Sequence, residues 1–309
     1  MMTLPQLSGG LFVTDGGLET DLIFNRGVEL PEFAAFVLLD DPGGMRALFD
    51  YYEGFLAIAR EHGAGFILDT PTWRANRDWG QLVGYDRTRL ADVNKRWVEV
   101  IAELRERLAG DGLPIVLDGT IGPRGDGYVP GAQMTADEAA GYHSEQIASF
   151  ADSGVDMVTA LTMNYAEEAV GIARAAAAQG LPAVISFTVE TDGRLPTGQR
   201  LGEAIDQVDS ETGGSAAYFM VNCAHPTHFE HVLARGDWRE RVRGIRANAS
   251  KMSHAELDEA EELDAGDPDD LAAGYARLRE HLPNLCVLGG CCGTDRRHVA
   301  AVTARLAGA

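Results

Sequence analysis

Leu285-Cys286-Val287-Leu288-Gly289-Gly290-Cys291-Cys292-Gly293 lies near the C-terminus of a 309-residue chain. Its apolar half is too short for a helix and is bounded by glycine, so it reads as a buried strand. The glycines let the backbone bend and approach another group closely. Adjacent cysteines do not readily bond each other, so the pair is free to engage something else. A second run, Tyr218-Phe219-Met220-Val221-Asn222-Cys223, ends in the same way. If both runs are strands of one closed sheet, their cysteines meet at one rim.

Outward from this stretch, eight such runs can be marked: residues 11–14, 65–69, 114–118, 155–162, 182–189, 216–222, 241–248 and 285–289. Most gaps between them carry helical periodicity. In residues 42–62, Asp41 suits the N-cap, Pro42 the first helical position and Gly63 the left-handed stop. Residues 87–109 stop at Gly110. Residues 136–153 open on the capping box Thr135-Ala136-Asp137-Glu138 and stop at Gly154. Residues 166–179 stop at Gly180, and a last helix follows Thr294 to about Leu306. Strand, helix, glycine, strand, repeated through the chain, predicts parallel strands with crossover helices. Eight repeats favour a closed (β/α)8 TIM barrel, a single domain over residues 1–309, rather than an open sheet. Two connections fit less well. Residues 192–198 read as a loop, and the acidic residues 252–270 as an excursion, either helical or a mobile lid.

Composition narrows the function. A net charge of −21 repels phosphate backbones and argues against nucleic acid as a partner. No apolar run reaches membrane-spanning length, and the N-terminus lacks a signal-peptide pattern, so a cytoplasmic protein with no membrane partner is expected. Four cysteines do not make a disulfide scaffold at this length; in a reducing cytosol, clustered cysteines more often serve a metal or catalysis.

In a barrel of this kind the C-terminal strand ends converge on one mouth. There lie Asp15-Gly16-Gly17-Leu18-Glu19-Thr20, Asp69-Thr70-Pro71-Thr72-Trp73-Arg74, Asp118, Thr162 with Asn164, and Glu190, followed by Asn222-Cys223, Asn248 and Cys291-Cys292. Cys223, Cys291 and Cys292 are candidate ligands of one metal ion. Three thiolates without a fourth cysteine are the pattern of an open site, and thiolates favour Zn2+. The plainer alternative is that they are buried small apolar side chains. Cys286, inside its run, is assigned to the core. His225, His228 and His231 are a rival ligand set near Cys223, with His228 and His231 expected at the surface on a helix start. Asp118 is either one of the mouth residues or merely a turn cap. The Gly119–Gly125 stretch fits neither phosphate-loop spacing.

Four segments together resemble the zinc-dependent homocysteine S-methyltransferases. They are Thr14-Asp15-Gly16-Gly17; Ile185-Ser186-Phe187-Thr188-Val189 with Gly193-Arg194-Leu195 and Gly198; Val221-Asn222-Cys223 with Pro226; and Gly289-Gly290-Cys291-Cys292-Gly293-Thr294. The resemblance implies a (β/α)8 barrel with Cys223, Cys291 and Cys292 as zinc ligands. It implies a thiol acceptor such as homocysteine and a cationic methyl donor, sulfonium or quaternary ammonium. Asp15, Gly16 and Gly17 would line the amino-acid pocket, and Thr70 would sit where the family contacts homocysteine. Two departures touch substrate recognition. Leu161 stands where the family has the glutamate that binds the homocysteine amino group, and Arg246-Ala247-Asn248-Ala249-Ser250 replaces a common Pro-Asn-Ser-Gly. Glu19, Asp69 or Glu190 would then supply the amine contact. Trp73, Trp79 and Tyr165 are candidates to hold the donor cation on aromatic faces. Two other readings compete: a zinc hydrolase or lyase with Glu190 as general base, and a non-catalytic zinc-binding relative.

Overall fold

The computed structural model describes residues 4–108, 112–260 and 262–308. Eight parallel strands close in sequence order: β1 Phe12–Val13, β2 Gly65–Asp69, β3 Ile115–Ile121, β4 Met157–Met163, β5 Ala183–Phe187, β6 Ala216–Asn222, β7 Val242–Ala247 and β8 Val287–Gly290. β1 pairs with both β2 and β8, which closes the barrel. Crossover helices run outside it: α1 Pro42–Glu61, α2 Arg87–Leu108, α3 Ala136–Ser153, α4 Ala166–Ala178, α5 Leu201–Thr212 and α6 Pro268–His281, with α7 Arg296–Ala307 after β8. This is the (β/α)8 architecture expected from the sequence.

Local chemistry sets the helix ends. The Asp41 carboxylate accepts from the Gly43 and Gly44 N–H groups, and Thr135 and Glu138 form a reciprocal capping box. Gly154 ends α3 at φ 82°, in the left-handed region that glycine enters without steric cost. The segment expected at 87–109 is helical to Leu108; its stop at Gly110 lies outside the described residues.

Two connections differ from expectation. Beyond loop 192–198 the chain does form a crossover helix, α5, which buries Leu201, Ala204, Ile205 and Val208 at helical spacing. Within 252–270, apart from residue 261, the chain forms a short helix, His254–Asp258, capped by Ser253. The true crossover, α6, begins at Pro268 with Asp267 as its cap. Some strand limits also move: β1 is shorter than residues 11–14, and β3 runs on to Ile121.

Alternation along each strand separates floor from mouth. Phe12, Ile67, Val116, Met157, Val184, Tyr218, Met220 and Val287 pack as one cluster inside the barrel, closed below by Leu4. Gln6 completes the floor, donating to the Tyr218 hydroxyl at 3.2 Å, and the Cys286 thiol donates to the Gln6 carbonyl at 3.3 Å. Cys286 is therefore a floor residue, as assigned. The side chains facing the other way pack beneath the helices in two larger clusters. Two or four residues up each strand, on the same inward face, stand Asp69, Thr120, Leu161, Asn222 and Arg246, all lining the cavity at the mouth. Asp118 is not a turn cap. It lies in β3 opposite Asp69, where burial and the Asp69 charge raise its pKa well above the carboxylate range.

Candidate active site

The mouth holds a cavity of about 320 Å³ whose wall includes Cys223, Cys291 and Cys292. The three sulfurs lie within 4.8 Å of one another. Cys223 directly follows β6, and its Cα is 5.4 Å from that of Cys291. The Cys291 N–H donates to the Ala247 carbonyl at the end of β7, at 2.8 Å. Gly293, at φ 77°, turns the chain, and the Thr294 hydroxyl donates to the Cys291 carbonyl at 2.6 Å. This turn brings Cys292 beside its neighbour.

Two non-glycine residues at this rim adopt left-handed backbone, Cys223 at φ 53° and Thr162 at φ 62°. Such residues cost roughly 1–3 kcal/mol each and persist only where surrounding contacts over-determine them. Both are pinned. The Cys223 N–H donates to the Arg246 carbonyl at 3.1 Å, while its own carbonyl accepts from His254 Nε2 at 2.7 Å. The Thr162 N–H donates to Asn222 Oδ1 at 2.9 Å, and Asn222 Nδ2 donates to the Thr162 hydroxyl at 2.8 Å. Ser186 donates to the same Asn222 oxygen at 2.6 Å. Asn222 thus locks the ends of β4 and β6 together, with its amide 4.0 Å from the Cys291 sulfur.

The donor set suits a soft divalent ion. Burial raises the Cys292 thiol above its ordinary pKa, opposed by the Tyr128 hydroxyl 3.4 Å away. The structure places the Cys223 and Cys291 sulfurs in disulfide contact, with Cys292 free beside them. Reduced, the three sulfurs would suit a cation and would leave a fourth position open. Among the described residues, no fourth Cys, His, Asp or Glu joins the group. The rival histidines do not line the cavity. His225 caps the short helix Pro226–Phe229, and His231 is exposed. His228, expected at the surface, is buried with Nε2 2.9 Å from the Lys251 carbonyl.

The Asp-Gly-Gly turn is stitched to the cysteine loop. A Cβ on Gly17 would fall 2.5 Å from the Cys291 carbonyl oxygen, and one on Gly16 would fall 2.9 Å from that of Thr294. Asp15 and Asp69 both form ion pairs with Arg246, and all three side chains are buried. Burial raises the Asp15 carboxyl, against the pull of Arg246. The two carboxylates outweigh burial at Arg246 and raise its pKa above the ordinary arginine value. Asp69 is thereby engaged, whereas the sequence left it free to meet an amine.

The remaining candidates divide. Thr70, Trp73, Trp79, Glu19 and Leu161 line the cavity. The Thr70 hydroxyl already accepts from the Thr120 N–H at 2.9 Å. The tryptophan faces carry an internal cation: the Arg74 guanidinium centre is 4.2 Å from the Trp73 ring and 3.4 Å from that of Trp79. Tyr165 stands outside the cavity wall, its hydroxyl accepting from the Met134 N–H at 3.1 Å. Glu190 also stands outside it, bound at 3.0 Å to His254 Nδ1. Glu190 therefore orients the histidine that holds the Cys223 carbonyl. The sequence reading passed over His254 and Tyr128, whose rings stack with centroids 4.0 Å apart. Arg246 was one of three arginines in the run 241–248 and was not singled out; Tyr128 had no mark at all.

Fold and site together define a barrel enzyme whose mouth carries a three-cysteine centre. The family model for homocysteine S-methyltransferase matches residues 12–306, and the chain belongs to that family; it is a methyltransferase. No curated protein matches it in sequence. Among solved structures it is similar to the homocysteine methyltransferase MmuM from Escherichia coli. The metallated form gives a TM-score of 0.73 at 19% identity, covering 96% of both chains. The oxidized form gives 0.74 at 19% identity and the same coverage. At these identities the likeness is one of fold. Among the described residues, no helix is long and apolar enough to cross a membrane.

Proposed function

We propose that the protein methylates a thiol, homocysteine being the first candidate, from a sulfonium or quaternary ammonium donor, with zinc held by Cys223, Cys291 and Cys292. The observation carrying this reading is the group of three sulfurs, within 4.8 Å of one another, in the wall of the cavity. We place the reaction in the cytoplasm, where such thiols stay reduced. When bound, zinc would supply the Lewis acid that keeps the acceptor sulfur ionised. A free thiol is about 3% thiolate at pH 7, so ionisation is worth at most roughly thirtyfold. The larger part comes from how the chain orients the two substrates.

A new sulfur–carbon bond forms at the acceptor as the donor's carbon–sulfur or carbon–nitrogen bond breaks, its electron pair going to the departing sulfur or nitrogen. The donor loses its positive charge and the thiolate its negative one. Glu19, Glu32, Asp126 and Asp258 line the cavity. They attract the cationic donor and loosen their hold once it is neutral. Asp15, Gly16, Gly17, Thr70 and Trp73 remain the proposed substrate wall. The hydrolase reading needs a base at the metal, and its candidate, Glu190, is outside the cavity. A mass-spectrometric screen of homocysteine and other thiols against S-methylmethionine, betaine and related onium compounds tests the proposal. Methylated thiol from at least one pair is expected. Absence of any product, or full activity after exhaustive metal stripping, refutes it.

A further inference from the structure

Arg74 is a buried cation with little to hold it. It is 7% exposed, and among the described residues its Nε has no hydrogen-bond partner. Among the described residues, Nη1 reaches only the Gly125 carbonyl, at 3.4 Å, and Nη2 lies 3.9 Å from the half-exposed Asp126 carboxylate. The guanidinium carbon lies over two indole rings, Trp73 and Trp79, and the side chain lines the cavity. Loss of water lowers its pKa to about 10.

The backbone around it is fixed. The Thr72 hydroxyl donates to the Thr120 carbonyl at 2.8 Å, and Asn94 donates to the Ala75 carbonyl at 3.0 Å. Asn76 caps the helix Arg77–Leu82 and donates to the Pro123 carbonyl at 3.1 Å. A guanidinium held in place over two indole rings and short of acceptors is pre-organised for a planar anion. The cavity is otherwise acidic, which disfavours a dianion such as phosphate and suits the single carboxylate of a zwitterion.

We propose that Arg74 recognises a substrate carboxylate, so that one of the two substrates must carry that group in addition to its reacting centre. This rests on the methyl-transfer reading and deepens it. It also reassigns the tryptophan pair: Trp73 and Trp79 hold the arginine that meets the anion, rather than the donor cation itself.

Paired substrates test it. The donor arm compares S-methylmethionine with trimethylsulfonium; the acceptor arm compares homocysteine with 3-aminopropane-1-thiol, which lacks the carboxylate. For each arm the kcat/KM ratio of acid to carboxylate-free compound is measured on one preparation, which cancels any loss of folded enzyme. Where a carboxylate-free compound turns over too slowly, its inhibition constant against the acid supplies the ratio. In Arg74→Gln the ratio should fall roughly 10- to 100-fold on one arm, the usual loss for a charge-assisted hydrogen bond, and that arm names the substrate. Arg74→Lys should recover part of it. Ratios within about threefold of wild type on both arms overturn the proposal, whereas failure of the wild-type enzyme to methylate any thiol refutes the methyl-transfer reading instead.

Discussion

Replacing Arg246 by methionine should be among the most damaging single changes near the mouth, and its cost should depend on pH in a defined direction. Arg246 is 6% exposed, pairs with both Asp15 and Asp69, and donates through Nε to the Gly290 carbonyl at 3.3 Å. Methionine fills much of the same volume without the charge. Removing one partner of a buried ion pair typically costs about 3–5 kcal/mol, because the charge left behind is uncompensated. Here two carboxylates are left, so the upper half of that range is expected at pH 8. Both can escape the penalty by taking up protons. Without Arg246 to oppose burial, the folded-state pKa of Asp15, already raised by burial, rises further above the unfolded value of about 3.9. A carboxyl with a raised folded-state pKa stabilises most below its unfolded value, and that contribution is lost as pH rises through the folded value. The deficit of the variant against wild type must therefore grow from pH 5 to pH 8. Denaturant unfolding of both proteins at the two pH values measures it. The triple variant Asp15→Asn, Asp69→Asn, Arg246→Met removes all three charges and should recover most of the loss. A deficit below about 1 kcal/mol at pH 8, or one larger at pH 5, would refute the reasoning.

Three further outcomes are expected. Cys291→Ala should abolish bound metal, read by elemental analysis, and methyl transfer with it. Circular dichroism and cooperative unfolding should persist, since the loop is held by the Cys291 N–H, its carbonyl and Thr294 rather than by its sulfur. Homocysteine at about 100 times its Kd should stabilise metal-loaded protein by about 2.7 kcal/mol and chelated protein far less, read as a shift in Tm. His228 is buried, and desolvation lowers its pKa. Its contribution to stability is present above the ordinary histidine value and lost as pH falls, so acidification from pH 7.5 to 5 (~6.5 being the midpoint of the free side chain) should cost wild type more than His228→Asn.

The barrel was readable because parallel strands buried on both faces appear as unbroken apolar runs between glycines. Gly65–Asp69 and Ala216–Asn222 match the expected limits residue for residue. The same unbroken pattern hides which side chains face the axis, so Asp118 could be either a mouth residue or a turn cap and the pairing of Arg246 was not foreseen. α5 was missed for a different reason. It begins at Leu201 after Arg200, without a side-chain cap, so nothing marks its start, although Gly213 marks its end. His254 and Tyr128 reach the site from short or irregular segments, where no period points to a face.

The cysteines and the substrate groups differ in kind. Three sulfurs converging from two strand ends make a metal site a natural proposal from position alone. A carboxylate or guanidinium takes its role from its partner, and partners are set by the fold. Asp69 and Glu190 looked available for an amine until Arg246 and His254 were found beside them. Arg74 looked unremarkable until it was found over two indole rings, with no hydrogen-bond partner at its Nε among the described residues. Leu161 fits the same logic. It leaves an apolar surface in the wall where the family resemblance would place an amine-binding carboxylate, while Arg74 adds an unsatisfied cation to that wall. In a wall that is otherwise acidic, Arg74 is therefore the group proposed to hold a substrate by its acid end.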